Sequence, residues 1–316
     1  MNVLVTGAAG FVGRILCARL LATTSDPDAR FTWIDRVMGA GADPRVATIS
    51  ADLDARSPEL ARALERADTV IHLAAVPGGA AERDHAASRR VNLDLSLAML
   101  EQVAGRTRPV RFVQASTIAV FGEPLPPAID DQTPTLPTMT YGAHKLMVET
   151  QIQDLSRRGL LDGLAVRLPG LLARPPGDAS MKSAFMSELF HACAAGRPIV
   201  VPTGPDATVW IMSASRAVEN LLHAARTARG DSIPRRAFTL PALRATMGAL
   251  AQVVAQKTRA DPLSIRFERD EALEAQFGRL PALTTATADA LGFRHDGDLE
   301  SLVERALRDA GYGAAA

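Results

Sequence analysis

Val3-Leu4-Val5-Thr6-Gly7-Ala8-Ala9-Gly10-Phe11-Val12-Gly13 opens the chain and runs into Ile15, Leu16, Ala18, Leu20 and Leu21. An apolar, β-branched run that ends on glycine, followed by apolar residues at helical spacing, predicts a strand, a tight turn and a helix. A side chain at Gly7 or Gly10 would block the turn or the approach of a phosphate, and one at Gly13 would push the helix off the strand. What such a turn offers a ligand is backbone: the N–H groups of Phe11, Val12 and Gly13 at the positive end of the helix, where a dinucleotide pyrophosphate settles.

Working outward, a second strand at Phe31–Ile34 ends on Asp35, 22 residues after Gly13. An acid at that separation accepts the two hydroxyls of an adenosine ribose and repels a 2′-phosphate, which favours NAD over NADP. Arg36 beside it either offsets part of that repulsion or faces solvent. Asp52-Leu53, after a weaker strand at Val46–Ile49, meets an adenine edge or forms an acidic surface turn. Further strands are expected at Thr69–Ala74, Val110–Ala115 and Leu164–Leu168. Between them come helices at Pro58–Arg66, across Val91, Leu95, Met99, Leu100 and Val103, and through Lys145 to about Arg158.

Continuous Val/Ile/Leu strands alternating with helices imply an α/β fold of Rossmann type, a doubly wound parallel sheet covered on both faces. Glu123–Thr140, with five prolines, reads as a loop. Pro169-Gly170 and Pro175-Pro176-Gly177 mark the passage into a smaller C-terminal α/β substrate-binding domain. The expected division is 1–169 for the NAD-binding domain and 170–316 mainly for substrate. Later runs at Val209–Met212 and Phe238–Leu240 are expected to return segments near 208–240 to the main sheet.

Composition narrows the classes of function. Lys and Arg number 35 and Asp and Glu number 35, so the net charge is zero and no basic block awaits a nucleic acid. Six histidines, at 72, 85, 144, 191, 223 and 295, lack the pairing of a metal site, so no metal is expected. No apolar run approaches a membrane span, and the first is too short for a signal peptide. Cys17 and Cys193, far apart in helix-like stretches, suit buried thiols in a reducing, cytoplasmic setting.

Tyr141-Gly-Ala-His-Lys145 places a phenol and an ammonium one helical turn apart, on one face. With only two tyrosines in the chain and lysines only at 145, 182 and 257, that pairing is a specific signal. A tyrosine of free pKa ~10 must become more acidic by about two to three units, roughly 3–4 kcal/mol, to act as a base near neutrality. A neighbouring ammonium and an oxidised nicotinamide ring both act in that direction. Ser116-Thr117, at the carboxyl end of a parallel strand, points a hydroxyl into the ligand crevice or caps a turn.

In this order the elements resemble the extended short-chain dehydrogenase/reductase superfamily, the NAD-dependent epimerase/dehydratase family, from residue 2 to about 225. The resemblance rests on the glycine turn, Asp35, His72-Leu73-Ala74-Ala75, Val91-Asn92, Ser116-Thr117 with Val120-Phe121-Gly122, and Tyr141 to Lys145. It implies Thr117 as the hydroxyl assisting Tyr141, with Ser116 as helper. Cofactor positions are implied at Gly7, Gly10, Asp35, Asp52, Leu73, Ala74, Ala75, Asn92, Lys145 and Pro169. A homodimer is implied as well, built through the helices Ala87–Ala104 and Gly142–Arg158.

Longer stretches, among them Asp162–Pro169 and Trp210–Asn220, are similar to the bacterial sugar-acid dehydrogenases that act on D-erythronate. That likeness implies a small sugar-acid substrate oxidised at C2 to a 2-oxo acid as NAD is reduced. Where the family often has an arginine two residues before the aromatic of its strand, Thr208 stands here. Lys182 and Ser183, in the segment that usually closes over substrate, offer a replacement cation or sit on the surface; Gly78-Gly79 let a small substrate approach or form a flexible loop. Two other readings compete: a sugar-nucleotide epimerase or dehydratase, opposed by Ile118-Ala119 where dehydratases carry Asp-Glu, and an NAD-binding sensor, opposed by the intact Tyr141/Lys145 pair.

Overall fold

The computed structural model describes residues 1–39, 41–176, 182–227 and 235–312, with the backbone alone for residue 182. Seven parallel strands form the central sheet: β1 (Asn2–Thr6), β2 (Arg30–Asp35), β3 (Val46–Ser50), β4 (Thr69–His72), β5 (Arg111–Thr117), β6 (Asp162–Leu168) and β7 (Ala237–Thr239). Their order is β7-β6-β5-β4-β1-β2-β3, so the chain reverses direction across the sheet between β1 and β4. Such a reversal opens a crevice at the carboxyl ends of the strands, where ligands of open α/β sheets bind. The α/β fold expected from the strand pattern is therefore the observed one.

Helices cover the sheet because their apolar stripes demand it. The glycine turn opens α1 (Phe11–Thr23); Ser57 caps α2 (Pro58–Arg66) by accepting the Leu60 N–H, with Pro58 at the first helical position. Leu60 and Leu64 of α2 pack with Leu4, Ile34, Val70 and Phe112 of the sheet in one buried cluster. α3 (Gly78–Arg83) and α4 (His85–Ser88) follow β4. The helix expected to run unbroken from Ala87 to Ala104 instead passes through a π-helical turn, Arg89–Asp94, into α5 (Leu95–Val103). α6 (Thr140–Arg157) carries Tyr141 and Lys145.

The chain divides into two compact units, residues 1–122, 135–168 and 218–239 in the first, and 123–134, 169–217 and 240–316 in the second. The second unit holds a three-stranded sheet in the order Leu243–Thr246, Thr208–Met212, Gly170–Leu171, and two short parallel pairs. Its core gathers Phe185, Leu189 and Phe190 with Val209, Ile211, Leu250, Val254 and Leu302. One expectation is corrected here. Phe238 returns to the main sheet, but Val209–Met212 does not; it pairs inside the second unit, because a buried apolar strand looks alike whichever sheet it enters.

Among the described residues no helix is long and apolar enough to cross a membrane, and no cluster of His, Cys, Asp and Glu could hold a metal. Cys17 and Cys193 are both free and buried.

Candidate active site

The glycine turn is shaped by backbone on all sides. Gly7 has φ +73°, and a Cβ there would stand 2.6 Å from the Ala74 nitrogen and 2.9 Å from the Leu73 carbonyl carbon, at the end of β4. A Cβ on Gly13 would collide with the Gly7 carbonyl and lie 2.8 Å from Ala8, so α1 could not seat. Gly10 is different: its Cβ would meet only the Gly7 oxygen, at 3.1 Å. The room above Gly10 faces the first turn of α1, which has no side-chain cap and no acidic residue, leaving the N–H groups of Phe11 and Val12 without intrahelical partners. A cradle that excludes a Cβ while presenting unpaired N–H groups fits a pyrophosphate.

Asp35 ends β2 beside that turn, its Oδ2 accepting the Ala9 N–H at 3.0 Å and its Oδ1 the Arg36 N–H at 2.7 Å. A carboxylate has about four acceptor sites, so capacity remains for ribose hydroxyls. Arg36 is exposed, as is Asp52, whereas Leu53 is buried in the main core with Ile34 and Leu60. Ala74 and Ala75 follow β4, with Leu73 N bonded to the Thr6 carbonyl at 3.1 Å. Asn92, in the π turn, exchanges two bonds with Val76: Val76 N donates to Oδ1 at 2.7 Å and Nδ2 donates to the Val76 carbonyl at 2.9 Å. Asn92 thus fixes the loop after β4, next to the short helix that Gly78 and Gly79 begin.

The residues expected to transfer the proton lie on β5 and α6, which pack against each other. Ser116 and Thr117 prove to be the last residues of β5, paired with Arg167 and Leu168, rather than residues after it. Alternation along the strand sends them to opposite faces. Ser116 is buried and donates to Glu149 Oε1 at 2.5 Å; Thr117 is half-buried, and its Oγ1 accepts the Ala119 N–H at 3.1 Å. The structure therefore separates the two hydroxyls that the sequence offered as a pair.

Lys145 is almost wholly buried, 1 % exposed, with its Nζ 5.8 Å from the centre of the Tyr141 ring. Burial lowers its pKa to about 8, opposed by the charge of Glu149 one turn on. Among the described residues no hydrogen bond to that ammonium is seen. His72 lies nearby, its Nδ1 2.5 Å from Thr6 Oγ1 and its Nε2 2.9 Å from Ser96 Oγ. Burial, then the Lys145 charge, lowers His72 to about 3, so the ring is neutral. Since Ser96 Oγ donates to the Asn92 carbonyl, Nε2 carries the ring proton and Nδ1 accepts from Thr6.

Two contributors escaped the sequence reading. Gly142, beside the tyrosine, lets α6 touch the turn after β5: a Cβ there would collide with the Ala119 carbonyl, 2.7 Å from its carbon. A glycine in the first turn of a helix was the available signal. Glu149 left none beyond its spacing of four from Lys145.

Pro169, Lys182, Ser183 and Thr208 belong to the second unit. Pro169 is buried, and the side chain of Lys182 lies outside the described residues. Ser183 Oγ accepts from Arg174 Nη2 at 3.3 Å. Thr208 donates to the Leu280 carbonyl at 2.8 Å, at the edge of a recess of about 420 Å³ that Arg244, Arg269 and Arg279 line. Of these, Arg269 is neutralised by Asp206 at 2.5 Å and Glu274 at 3.1 Å.

Residues 3–234 match the family model described as NAD dependent epimerase/dehydratase family. The chain belongs to that family. Membership brings a nicotinamide cofactor and oxidoreductase chemistry, in line with the cradle and the Tyr141/Lys145 helix. The chain is 35% identical to a D-erythronate dehydrogenase of Cupriavidus necator, over 98% of this chain and 99% of that one. It is 31% identical to a D-erythronate dehydrogenase of Haemophilus influenzae, over 96% and 98%. Among solved structures, a nucleoside-diphosphate-sugar epimerase from Agrobacterium tumefaciens superposes with a TM-score of 0.89 at 31% identity, covering 99% of this chain and 95% of that one. An L-threonine dehydrogenase from Clostridium difficile, 19% identical, shares the fold at a TM-score of 0.83 over 98% and 97% of the two chains.

Proposed function

We propose that this member of the family is an NAD-dependent dehydrogenase of small sugar acids, oxidising D-erythronate or a near relative at C2 to the 2-oxo acid. The observation that carries the proposal is the likeness, over nearly the whole chain, to two dehydrogenases of that substrate. NAD, when bound, accepts a hydride from the substrate carbon. The chain's own residues do the rest. Gly7, Gly10 and the first turn of α1 hold the pyrophosphate; Asp35 holds the adenosine ribose and favours the unphosphorylated cofactor.

Lys145 holds the nicotinamide ribose and, by its charge, makes the Tyr141 phenol more acidic. Tyr141 takes the proton of the substrate hydroxyl as its general base, and Thr117 Oγ1 holds the same oxygen in line. Ser116, committed to Glu149, does not touch substrate in this reading. Lys182 and Ser183 are the residues that this reading assigns to binding of the acid. The chain works as a homodimer joined through the segments Ala87–Ala104 and Gly142–Arg158, on the second of which Met147 is an exposed apolar side chain.

One finding favours a second reading, the likeness to the nucleoside-diphosphate-sugar epimerase of Agrobacterium tumefaciens. Against it stands Thr208, whose hydroxyl is spent on a backbone carbonyl where the family's arginine would grip a diphosphate; Ile118-Ala119, in place of the Asp-Glu of dehydratases, oppose the dehydratase variant of that reading. The test is to mix purified protein with NAD and a panel of tetronic acids and follow NADH absorbance. Net NADH from D-erythronate is expected. Conversion of a nucleotide sugar without net NADH would establish the epimerase instead, and cofactor binding without turnover on any substrate would indicate a sensor.

A further inference from the structure

A buried ion pair lies beneath the candidate active site, and proton transfer as derived above makes no use of it. Glu149, 2 % exposed, is one helical turn past Lys145 on α6. Arg167 of β6 grips both of its oxygens, Nη2 to Oε2 at 2.7 Å and Nε to Oε1 and Oε2 at 3.1 and 3.2 Å. The Arg167 guanidinium carbon stands 5.4 Å from the centre of the Phe121 ring. The remaining partner is the Ser116 hydroxyl, next in the chain to Thr117. Apolar residues of the same volume hold a fold together as well as a buried ion pair does, so stability alone does not account for this one. Its location does: β5, β6 and α6 meet at this carboxylate, and two of them carry Thr117, Tyr141 and Lys145.

We infer that Glu149 is a positioning residue for the site, clamping the end of β5 to α6 through Ser116 and setting the charge that faces Lys145. This rests on the dehydrogenase reading. Among the described residues, the titratable and charged groups facing Lys145 are Glu149 on its own helix, Tyr141, and His72 on β4; those facing Glu149 are Arg167 on β6 and Lys145. His72 is neutral, so the carboxylate is what opposes the effect of burial on the lysine.

The two parts separate by substitution. Glu149→Gln keeps an acceptor for Ser116 and removes the charge, whereas Ser116→Ala keeps every charge paired and removes the clamp. Tyr141 ionisation is read from tyrosinate absorbance of the NAD-loaded protein in a Tyr312→Phe background, where Tyr141 is the sole tyrosine. Removing a negative charge lowers neighbouring pKa values. Glu149→Gln is therefore expected to move that titration, and with it the acid limb of the oxidation rate profile, to lower pH by on the order of one unit. Ser116→Ala is expected to leave the titration in place and lower kcat by about tenfold with NAD affinity unchanged, the mark of a misplaced reacting group.

Superimposable titrations for parent and Glu149→Gln would overturn the electrostatic part, and parental kcat in Ser116→Ala the clamp. Should Glu149→Gln not fold, Ser116→Ala decides. The titration needs no substrate, so a parent chain that oxidised no sugar acid would sink the dehydrogenase reading and leave this test standing.

Discussion

Lys145 is held in a state that the fold itself disfavours. Moving its pKa from 10.5 to about 8 means that burial costs the charged form roughly 3 kcal/mol near neutrality. Between those two values the unfolded chain binds a proton that the folded chain has lost, so this contribution makes stability rise with pH across that window. Lys145→Met, which fills the space without the charge, is expected to raise the free energy of unfolding in urea by ~1–3 kcal/mol and to abolish turnover. Tyr141→Phe acts the other way round: NAD affinity measured by fluorescence titration stays near the parent value while kcat falls by orders of magnitude, because only the proton path is removed. Near-normal turnover in that variant would remove Tyr141 from the chemistry. Both residues were legible in the sequence, since a phenol and an ammonium four residues apart need nothing but a helix to meet. Ser116 was legible only as a hydroxyl; its commitment to Glu149, 33 residues away, exists only in three dimensions.

At the scale of elements, the placement of Tyr141 depends on how closely α6 can lie against the turn Ile118–Val120. Gly142 sets that distance, and the obstacle a methyl would meet is backbone, which cannot rotate aside. Gly142→Ala should cost about 1–3 kcal/mol of stability and displace the phenol enough to lower kcat roughly a hundredfold, with both effects read on the same preparation. A variant with parental kcat would show that α6 has slack the packing does not suggest. Element type was readable because strands and helices write different periods: α2 starts at Pro58 and ends at Arg66, as its cap and apolar spacing imply. The π turn was not readable, because it costs one helical bond and leaves the apolar residues of α5 in sequence. Ser88, Asn92 and Ser96, buried polar residues four apart along it, keep the spacing of an ordinary α-helix and so gave no sign of the turn.

For the whole molecule, the pH dependence of stability has a named source in addition to Lys145. His72 is depressed from 6.5 to about 3, so between these values the unfolded chain takes up a proton that the native chain refuses. Stability therefore falls as pH drops through that window, and His72→Gln should flatten the fall, by on the order of 4 kcal/mol between its ends. Urea melts at stepped pH check it; parallel curves for parent and variant would assign the acid sensitivity elsewhere. Assembly is a second molecular property: sedimentation should report twice the 33.5 kDa chain mass, and Met147→Glu should halve it. Partnership between distant segments was the part of the fold least visible beforehand, as Val209–Met212 shows by joining Gly170–Leu171 and Leu243–Thr246.

The bond from Ala9 N–H to Asp35 also bears on redesign. A single carboxylate braces the glycine turn and, in the function proposed above, selects the ribose, so a substitution meant to admit the phosphorylated cofactor would also remove a strut from the turn that must bind it. A cofactor switch in this enzyme is therefore a two-site engineering problem: a new cation for the phosphate must arrive together with a new acceptor for Ala9, and libraries that vary position 35 alone should return weak binders of both dinucleotides.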